Sequence, residues 1–294
     1  MNALPALLLI GALGAAPAEA QESSRFVYVT ALDKDGAPIE DLATSEFTIK
    51  DGGKDREILR AAPALAKMQI AILVDDNGTG LFRVAVARFI ESLLGRAEFS
   101  ISSVTGQTMK LVDYTTDASE LSEAVRKLGA RPATNDGNQL LDGITGTSLD
   151  MVRRKAQRPI ILALTVGGDD VTPMQPDDAL DELRRSGAQL YVVSVLSSAM
   201  RATTTPTRPG DMLNEGHALR AVLGDGPRRS GGTRQEISAM AGVDPGLHRL
   251  AQQLKTQYLV EYSLGGAKPS NRISVGVKRK GVTLRAPTHV PDKI

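Results

Sequence analysis

Hydrophobic periodicity changes twice along this chain, and the changes divide it into three parts. From Phe26 to about Arg60, apolar residues recur at every second position, with Asp35-Gly36 and Asp51-Gly52 between the runs. This alternation is typical of short antiparallel strands joined by tight Asp-Gly turns. Three segments near the C-terminus return to the same period, namely YLVEYSL, ISVGVK and VTLRA. We therefore predict one small antiparallel β module formed from both terminal segments.

The central part begins near Lys67 and alternates apolar strands with amphipathic helices. Its helical period predicts helices that end at Gly95 and Gly129, one near Gln139–Lys155, and one opened by Pro176. Apolar strands separate these helices, among them MQIAILV, FSISSV, PIILALTV and QLYVVSVL. Such alternation predicts an α/β fold with a doubly wound, mostly parallel sheet and helices on both faces.

A stretch rich in glycine, proline and threonine interrupts this pattern at 197–233. We predict a long loop there, around one short helix at His217–Leu223. The segment GDGPRRSGG has no strand leading into it, so we interpret it as a mobile turn rather than a phosphate-binding loop. Together the patterns predict four segments: a signal peptide at 1–20, an N-terminal β segment at 21–66, an α/β domain at 67–243, and a C-terminal helix and strands at 244–294 that pack with the N-terminal segment.

The first twenty residues have the pattern of an export signal. An apolar centre from Ala6 to Gly14 precedes Ala18-Glu19-Ala20, an A-x-A cleavage pattern, so the mature protein would begin near Gln21. The apolar centre is shorter than the ~20 residues that span a bilayer, and no other segment has transmembrane character. We predict an exported protein, periplasmic or extracellular; an uncleaved anchor or a misassigned start is the alternative.

Composition excludes several classes of function. The chain has 35 basic and 34 acidic residues and no long basic run, which excludes nucleic acid as the expected partner. It contains no cysteine, so disulfides and thiolate metal sites are excluded. With 5 Phe, 5 Tyr and no Trp, the core must be built from aliphatic side chains.

Signatures of catalysis are missing from the sequence. The three histidines, His217, His248 and His289, are far apart, and none belongs to an H-E-x-x-H arrangement. Neither a G-x-S-x-G nucleophile elbow nor a P-loop is present. We predict that the protein is not an enzyme.

Residues that could bind a ligand lie where the strand MQIAILV ends. Asp75, Asn77 and Thr79 follow in a D-x-N-x-T spacing, and ligands bind at the carboxyl ends of strands in open α/β sheets. Their oxygen atoms are of the kind that a small divalent cation prefers. The alternative is that Asp75 and Thr79 satisfy backbone groups at a strand-to-helix turn. We favour this structural interpretation because Asp75 is the one securely placed carboxylate.

Three pieces of the chain together form a recognisable pattern, namely the lead-in DKDGAPIEDLATSEFTIKDGGKDREI, the strand that ends in DDNGT, and the closing helix and strand LHRLAQQLKTQYLVEYSL. In this order they resemble bacterial proteins related to von Willebrand factor type A domains. The resemblance runs from about Phe26 to Ala286. It implies a Rossmann-like type A domain between short β segments, with DDNGT at the position of the family's metal-ion-dependent adhesion site (MIDAS).

The resemblance implies that this adhesion site is degenerate. Asp75 matches the family's first aspartate, whereas Asn77 and Thr79 stand where the family usually has serines. NQLLDGI resembles the segment that supplies a threonine ligand, which puts Asn138 in that role and makes Thr134 a nearby candidate. The tentative ligands for Mg²⁺ or another divalent cation are therefore Asp75, Asn77, Thr79 and Asn138.

The last aspartate of the family's site is replaced. The family presents a T-D-G motif after the strand PIILALTV, and this chain has Thr165-Val166-Gly167. Val166 has no side-chain oxygen, while Asp169 and Asp170 lie just beyond it. Mg²⁺ usually takes one or two carboxylates, and here Asp75 is the one securely placed carboxylate. We therefore predict no definite cofactor.

These observations predict an interaction module of the adhesion type. We expect it to bind another protein at the top edge of the α/β sheet, either with a weakly bound divalent cation or without a cation. The predicted partner-binding residues are Asp75, Asp76, Asn77, Thr79, Asn138, Asp169 and Asp170. The alternative is a structural component of an envelope assembly that has no functional metal site and makes its contacts through the β module.

Overall fold

The structure is a computed structural model that describes residues 24–130, 137–168, 170–195 and 217–291. The predicted signal peptide, residues 1–20, lies outside the described residues, so it stays a prediction. The same holds for the candidate residues Thr134 and Asp169.

The described residues form thirteen strands, which we number in chain order. They are β1 Ser24–Leu32, β2 Phe47–Asp51, β3 Lys54–Arg56, β4 Ile58–Pro63, β5 Met68–Asp75, β6 Ala97–Thr105, β7 Gln107–Thr115, β8 Pro159–Thr165, β9 Gln189–Val195, β10 Arg234–Ile237, β11 Tyr258–Ser263, β12 Ile273–Val277 and β13 Thr283–Arg285.

The described residues also form six α-helices. They are α1 Arg83–Leu93, α2 Ala118–Lys127, α3 Leu140–Arg153, α4 Pro176–Ser186, α5 His217–Ser230 and α6 Val243–Lys255. None of these described helices has the length and apolar character needed to cross a membrane.

The central sheet has six strands in the order β10-β9-β8-β5-β6-β7. Its first five strands are parallel, and β7 returns antiparallel to β6 at one edge. This confirms the predicted mostly parallel sheet. Strand β6, the next parallel strand along the chain, lies on one side of β5, and β8, the parallel strand after it, lies on the other side. A topological switch point therefore lies at the carboxyl ends of β5 and β8.

Helices cover both faces of this sheet, as predicted. Along β5, Ile70, Ile72 and Val74 pack in one core with α1, α2 and α6, whereas Ala71 and Leu73 pack in a second core with α3, α4 and α5. A strand buried on both faces is expected to be continuously apolar, as β5 is. Helix α6, which the predicted segment boundaries group with the C-terminal strands, thus lies in the core of the central sheet; the boundaries themselves stay predictions.

The terminal strands form the predicted β module. One antiparallel sheet has the order β13-β1-β11-β4, and another has the order β12-β2-β3. Both sheets combine strands from the two ends of the chain, with Val27 opposite Val260 and Ile49 opposite Val275. Their inward side chains form a third core. The α/β part is therefore inserted between the two halves of this module.

The two predicted Asp-Gly turns have different outcomes. The Asp51-Gly52 turn joins β2 to its partner β3, as expected, but the turn at Asp35-Gly36 joins no pair of neighbouring strands. The Asp35-Gly36 turn folds the chain back onto the end of β1, where Leu32 and Pro38 form an isolated antiparallel bridge and the N–H of Ile39 donates to the carbonyl oxygen of Ala31 at 2.9 Å. No strand continues from this bridge, since β11 and β13 already pair with β1. The carboxylate of Asp33 also closes the turn by accepting hydrogen bonds from the N–H groups of residues 35 and 37.

The region interpreted as a short helix and a mobile turn is also different. Helix α5 continues through GDGPRRS to Ser230, and β10 follows as an unpredicted edge strand. A Cβ atom at Gly226 would lie 3.0 Å from Cδ2 of Leu190 and 3.3 Å from Cδ2 of Leu183. Glycine thus permits close packing of α5 on the sheet. Here burial of the face that includes Leu219 and Val222 outweighs poor helix propensity.

A buried arginine links the β module to the α/β part. Arg158 precedes β8 and donates hydrogen bonds to the carbonyl oxygens of Ala64, at 3.1 Å, and Leu254. It also donates to Oε1 of Gln257 at 2.9 Å. Because these acceptors lie on both connections between the two parts, one side chain ties the entry and exit of the chain together.

Candidate functional site

The candidate site is centred on Asp75, the last residue of β5. Its neighbour across the sheet is Thr165, the last residue of β8. Both side chains are buried, Asp75 with 2% of its surface exposed. The backbone N–H of Val166 donates to the carbonyl oxygen of Asp75 at 3.0 Å. The two strand ends are therefore held together at the switch point predicted for ligand binding.

Protein donors satisfy both carboxylate oxygens of Asp75. The hydroxyl of Thr165 donates to Oδ2 at 2.6 Å, and the side-chain amide of Asn138 donates to Oδ1. The Thr165 hydroxyl also accepts a hydrogen bond from the N–H of Gly167 at 2.9 Å. Asp75 is thus the acceptor at the centre of a closed network that joins three segments of the chain.

A second hydrogen bond fixes the orientation of the Asn138 amide. Its Oδ1 accepts from the backbone N–H of Gly106 at 3.1 Å, while its nitrogen faces Asp75. Exchanging the two ends would place the amide nitrogen against an N–H donor and the oxygen against a carboxylate. The Asn138 oxygen is therefore committed to the β6–β7 turn and is not directed at Asp75.

Burial raises the pKa of Asp75 to about 7. The hydrogen bond from Thr165 lowers the pKa, the nearby carboxylates of Asp170 and Asp76 raise it, and the Asn138 amide lowers it. Desolvation outweighs the two hydrogen bonds because the charged form loses water on both faces of the carboxylate. The site therefore changes charge near neutral pH.

Asp170 caps a helix at the same edge. Its Oδ2 accepts from the N–H of Leu141 at 3.0 Å, in the first turn of α3, and its Oδ1 accepts from the N–H of Thr172 at 3.0 Å. The residue at the N-cap position, Gln139, makes no side-chain capping bond. A buried carboxylate from another loop takes that role and also complements the positive end of the helix dipole.

Asp76 organises the turn between β5 and α1. Its backbone carbonyl accepts from the Thr79 hydroxyl at 2.8 Å, and its Oδ1 accepts from the N–H of Gly78 at 3.1 Å. Asn77 lies in the left-handed region at φ 53°. The Oδ2 atom of Asp76 and the Oδ1 atom of Asn77 are buried and accept no hydrogen bond from the described residues. Thr79 is exposed, and its hydroxyl donates within the turn.

The proposed cation ligands are only partly brought together. Asp75 and Asn138 are in direct contact, but through the amide nitrogen. A cation beside Asp75 would have to displace Asn138 or Thr165 from a carboxylate oxygen. Val166 is buried in the first core, and within the described ranges no group of three His, Asp or Glu side chains is placed to hold a metal. The residues as arranged do not fit a Mg²⁺ site, for which oxygen ligands must converge.

Two members of the network were missed in the sequence. Thr165 belongs to the Thr165-Val166-Gly167 segment, for which the prediction concerned the replaced aspartate and not the threonine. Gly106 contributes only its backbone N–H, which no side-chain pattern signals. The T-x-G match was thus the one available clue to the network.

Two apolar residues are exposed beside the turn. Leu81 has 49% of its surface exposed and Val84 has 63%. Leu81 lies between the turn and α1, and Val84 lies in the first turn of α1. A polar turn and an apolar patch therefore adjoin at the carboxyl edge of the sheet; we call residues 76–84 the top edge.

Several solved structures are similar to this chain, whereas no protein-family model and no curated protein matches it. Von Willebrand factor type A from Catenulispora acidiphila is 12% identical with a TM-score of 0.46, over 92% of this chain and 75% of that one. The pilus adhesin SpaC from Lactobacillus rhamnosus GG is 11% identical with a TM-score of 0.46, over 65% of this chain and 31% of the adhesin.

A third similar structure is proximal thread matrix protein 1 from the mussel byssus, with a zinc-occupied MIDAS motif. It is 12% identical with a TM-score of 0.46, over 68% of this chain and 48% of that one. This chain therefore spans about a third of the adhesin and about half of the mussel protein. Von Willebrand factor type A domains are thus among the solved structures to which this chain is similar.

Proposed function

We propose that this protein is a non-enzymatic interaction module that binds another protein at the top edge. The observation that carries the proposal is the exposed apolar pair Leu81 and Val84 beside a turn that partly buried hydrogen bonds to Asp76 hold in place. Apolar side chains surrounded by polar groups are the usual anchors of protein interfaces. The proposal places this contact outside the cytoplasm, in keeping with the predicted export signal.

In this proposal the buried polar residues position the surface rather than touch the partner. Asp75, Asn138 and Asp170 fix the ends of β5, β8 and α3 through hydrogen bonds to one another's segments. The contacts then come from the exposed Thr79 and Leu81. Rigid support of exposed loops favours binding because less conformational entropy is lost on association. The role expected for Asp169 stays a prediction.

We further propose that binding does not require a divalent cation. Both oxygens of Asp75 already accept hydrogen bonds from the protein, and the Asn138 oxygen accepts from Gly106. A cation at Asp75 would gain that carboxylate as a ligand only by displacing Asn138 or Thr165 from one of its oxygens, so net binding there is expected to be weak. The zinc in the mussel protein is a property of that protein's site.

Photo-crosslinking tests the location of the contact. p-Benzoylphenylalanine would replace Leu81 in the full chain, expressed in its native host, and crosslinked proteins would be identified by mass spectrometry. The matched control is Leu94, which is 42% exposed just after the opposite end of α1. A discrete adduct at position 81 that is absent at position 94 supports the proposal, whereas equal patterns at both positions contradict it.

A structural component of an envelope assembly is the second candidate. Leu65 is 91% exposed, just beyond edge strand β4 of the module, which favours a contact through that module. The same probe placed at Leu65 separates the two functions. An adduct at position 65 without one at position 81 would favour the structural role.

A further inference from the structure

A cavity of about 830 Å³ lies at the opposite edge of the central sheet from Asp75. It is bounded by the C-terminal ends of α3 and α4, the beginnings of β8 and β9, strand β1, and the segment Pro287–Pro291. The cavity therefore lies between the α/β part and the β module. Its volume falls in the range of about 300–1,000 Å³ that is typical of small-molecule sites.

The wall of this cavity is largely apolar. Side chains from both parts of the protein contribute to it, namely Phe26, Tyr28, Met151, Val152, Leu183 and Leu259. Phe26 and Val152 are among the large apolar residues that stay exposed in the described chain. A hydrocarbon group placed here would cover apolar surface that the protein itself leaves open to water.

Charged groups at the cavity are mostly basic. The lining includes Arg25, Lys155, Arg184, Arg185, Arg229 and His289. Among the described lining residues, Asp181 is the one carboxylate, and it accepts a hydrogen bond from Arg184 at 3.3 Å. Three other lining arginines, Arg25, Arg185 and Arg229, pair with carboxylates outside the lining, namely Asp51, Glu182 and Asp225. Lys155 forms no ion pair with a described residue, so its positive charge faces the cavity uncompensated.

A buried cation lies behind the wall. The guanidinium of Arg158 lies 5.2 Å from the centroid of the Tyr28 ring, which lines the cavity. Arg158 is buried, and its acceptors are carbonyl and amide oxygens, with no ion pair to a described carboxylate. Burial lowers the pKa of His289, and so do four arginines that include Arg229 and Arg184. Both observations indicate a positive field in this region.

Lys155 has an unusual backbone for its residue type. It lies at φ 51° directly after α3, where the N–H of Lys155 donates to Val152 and the N–H of Ala156 donates to Met151, both at 3.1 Å. This left-handed position at the end of a helix is normally glycine. Lys155 is part of the cavity lining, and its side chain forms no ion pair with a described residue. A strained non-glycine residue of this kind is typical of positions kept for function.

We propose that this cavity binds an amphipathic carboxylate, with the carboxylate near Lys155 and a hydrocarbon body against the apolar wall. Charge complementarity selects the anionic head, and the apolar lining selects the body. The competing explanation is that the basic residues only complement the negative ends of the helix dipoles of α3, α4 and α5. That explanation gives the cavity no ligand.

Calorimetric titration with octanoate tests the proposal on the full chain. Octanol, octylammonium and acetate serve as probes that lack the charge, reverse it or lack the hydrocarbon body. We expect saturable octanoate binding at least tenfold tighter than that of any of the three. Labelled methionine methyl groups give a second readout, in which Met151 should shift on octanoate addition. Octanoate binding no tighter than octanol or acetate binding would overturn the proposal.

Substitution of Lys155 separates a binding role from a structural one. Lys155→Gly relieves the left-handed backbone, so its Tm should rise, while its octanoate affinity should fall at least fivefold. The matched control is Arg153→Gln, a change of an exposed basic residue on the same helix that does not line the cavity. A higher Tm with unchanged octanoate affinity would show that Lys155 serves the helix end alone and would refute its part in binding.

Discussion

Asp75 combines a buried carboxylate with two neutral hydrogen-bond donors. Its pKa is raised from 3.8 to about 7, chiefly by burial. Because the folded protein binds a proton more tightly than the unfolded chain, the free energy of unfolding should fall as pH rises from 4 to 7 and level off above 7. The full effect is about 4 kcal/mol at most. Below pH 4 the carboxyl is protonated in both states and imposes no cost.

Asp75→Asn should remove this pH dependence. The neutral amide can accept from Asn138 and donate to Thr165, so the network is kept without a titrating charge. Relative to the wild type, the variant should gain roughly 2–3 kcal/mol between pH 5 and pH 8, measured by urea unfolding. Asp117→Asn, at the exposed N-cap of α2, is the control for the change of an aspartate to an asparagine as such. Parallel profiles for the wild type and Asp75→Asn would refute the assignment.

At this scale the sequence predicted which residues are neighbours better than which of their atoms meet. The strand end and the family resemblance pointed to Asp75 and Asn138 as neighbours, and the structure places them in contact. Which end of the amide meets the carboxylate depends on the N–H of Gly106, which the β6–β7 turn brings to the site. No pattern in the sequence encodes that backbone contact, so a ligand oxygen was expected where a donor nitrogen lies.

Among the secondary-structure elements, α2 and α3 offer a matched pair of aspartate caps. Asp117 accepts from the first turn of α2 at the surface, whereas Asp170 accepts from α3 and from Thr172 in a buried position. Water can replace a lost cap at α2 but not at α3. We expect Asp170→Ala to cost about 2–3 kcal/mol and Asp117→Ala about 1 kcal/mol, by urea unfolding. Equal losses would show that the Asp170 site is open to water.

Elements defined by periodicity were predicted well, and those defined by packing were not. Helix α4 begins at Pro176 as expected, because proline suits the first helical turn. Helix α5 was shortened in the prediction because Gly224, Gly226 and Pro227 disfavour helix. In the structure the helix continues through these residues, and Gly226, which has no Cβ atom, allows α5 to pack closely against Leu190. Such a contact depends on a distant strand and is absent from any local pattern.

Across the whole molecule, the β module and the α/β part meet at Arg158. Its hydrogen bonds reach both chain connections, and Gln257 extends them to Thr30 in β1 at 3.0 Å and to Gln189 in β9 at 2.8 Å. A buried polar network therefore joins the β module to the α/β part, in addition to apolar contacts. Such networks are rigid when every member is satisfied and costly when one is removed.

Arg158→Met should destabilise the protein by at least about 3 kcal/mol, because several buried acceptors lose their donor. Arg154→Met is the matched control: Arg154 also lies over a tyrosine ring, at 4.6 Å from the centroid of Tyr114, but its ion pairs are at the surface. That change should cost no more than about 1 kcal/mol. Hydrogen exchange should also accelerate in β1 and β11 of Arg158→Met alone. Similar losses for the two variants would contradict a buried junction.

The most direct test of the account is the affinity of the purified chain for the partner identified by crosslinking at position 81. It would be measured in Mg²⁺ and in EDTA for the wild type, Leu81→Asp and the control Leu94→Asp. We predict equal affinity with and without the cation, at least a tenfold loss in Leu81→Asp, and no loss in Leu94→Asp. Affinity that disappears in EDTA, or that survives Leu81→Asp unchanged, would contradict cation-independent recognition at the top edge.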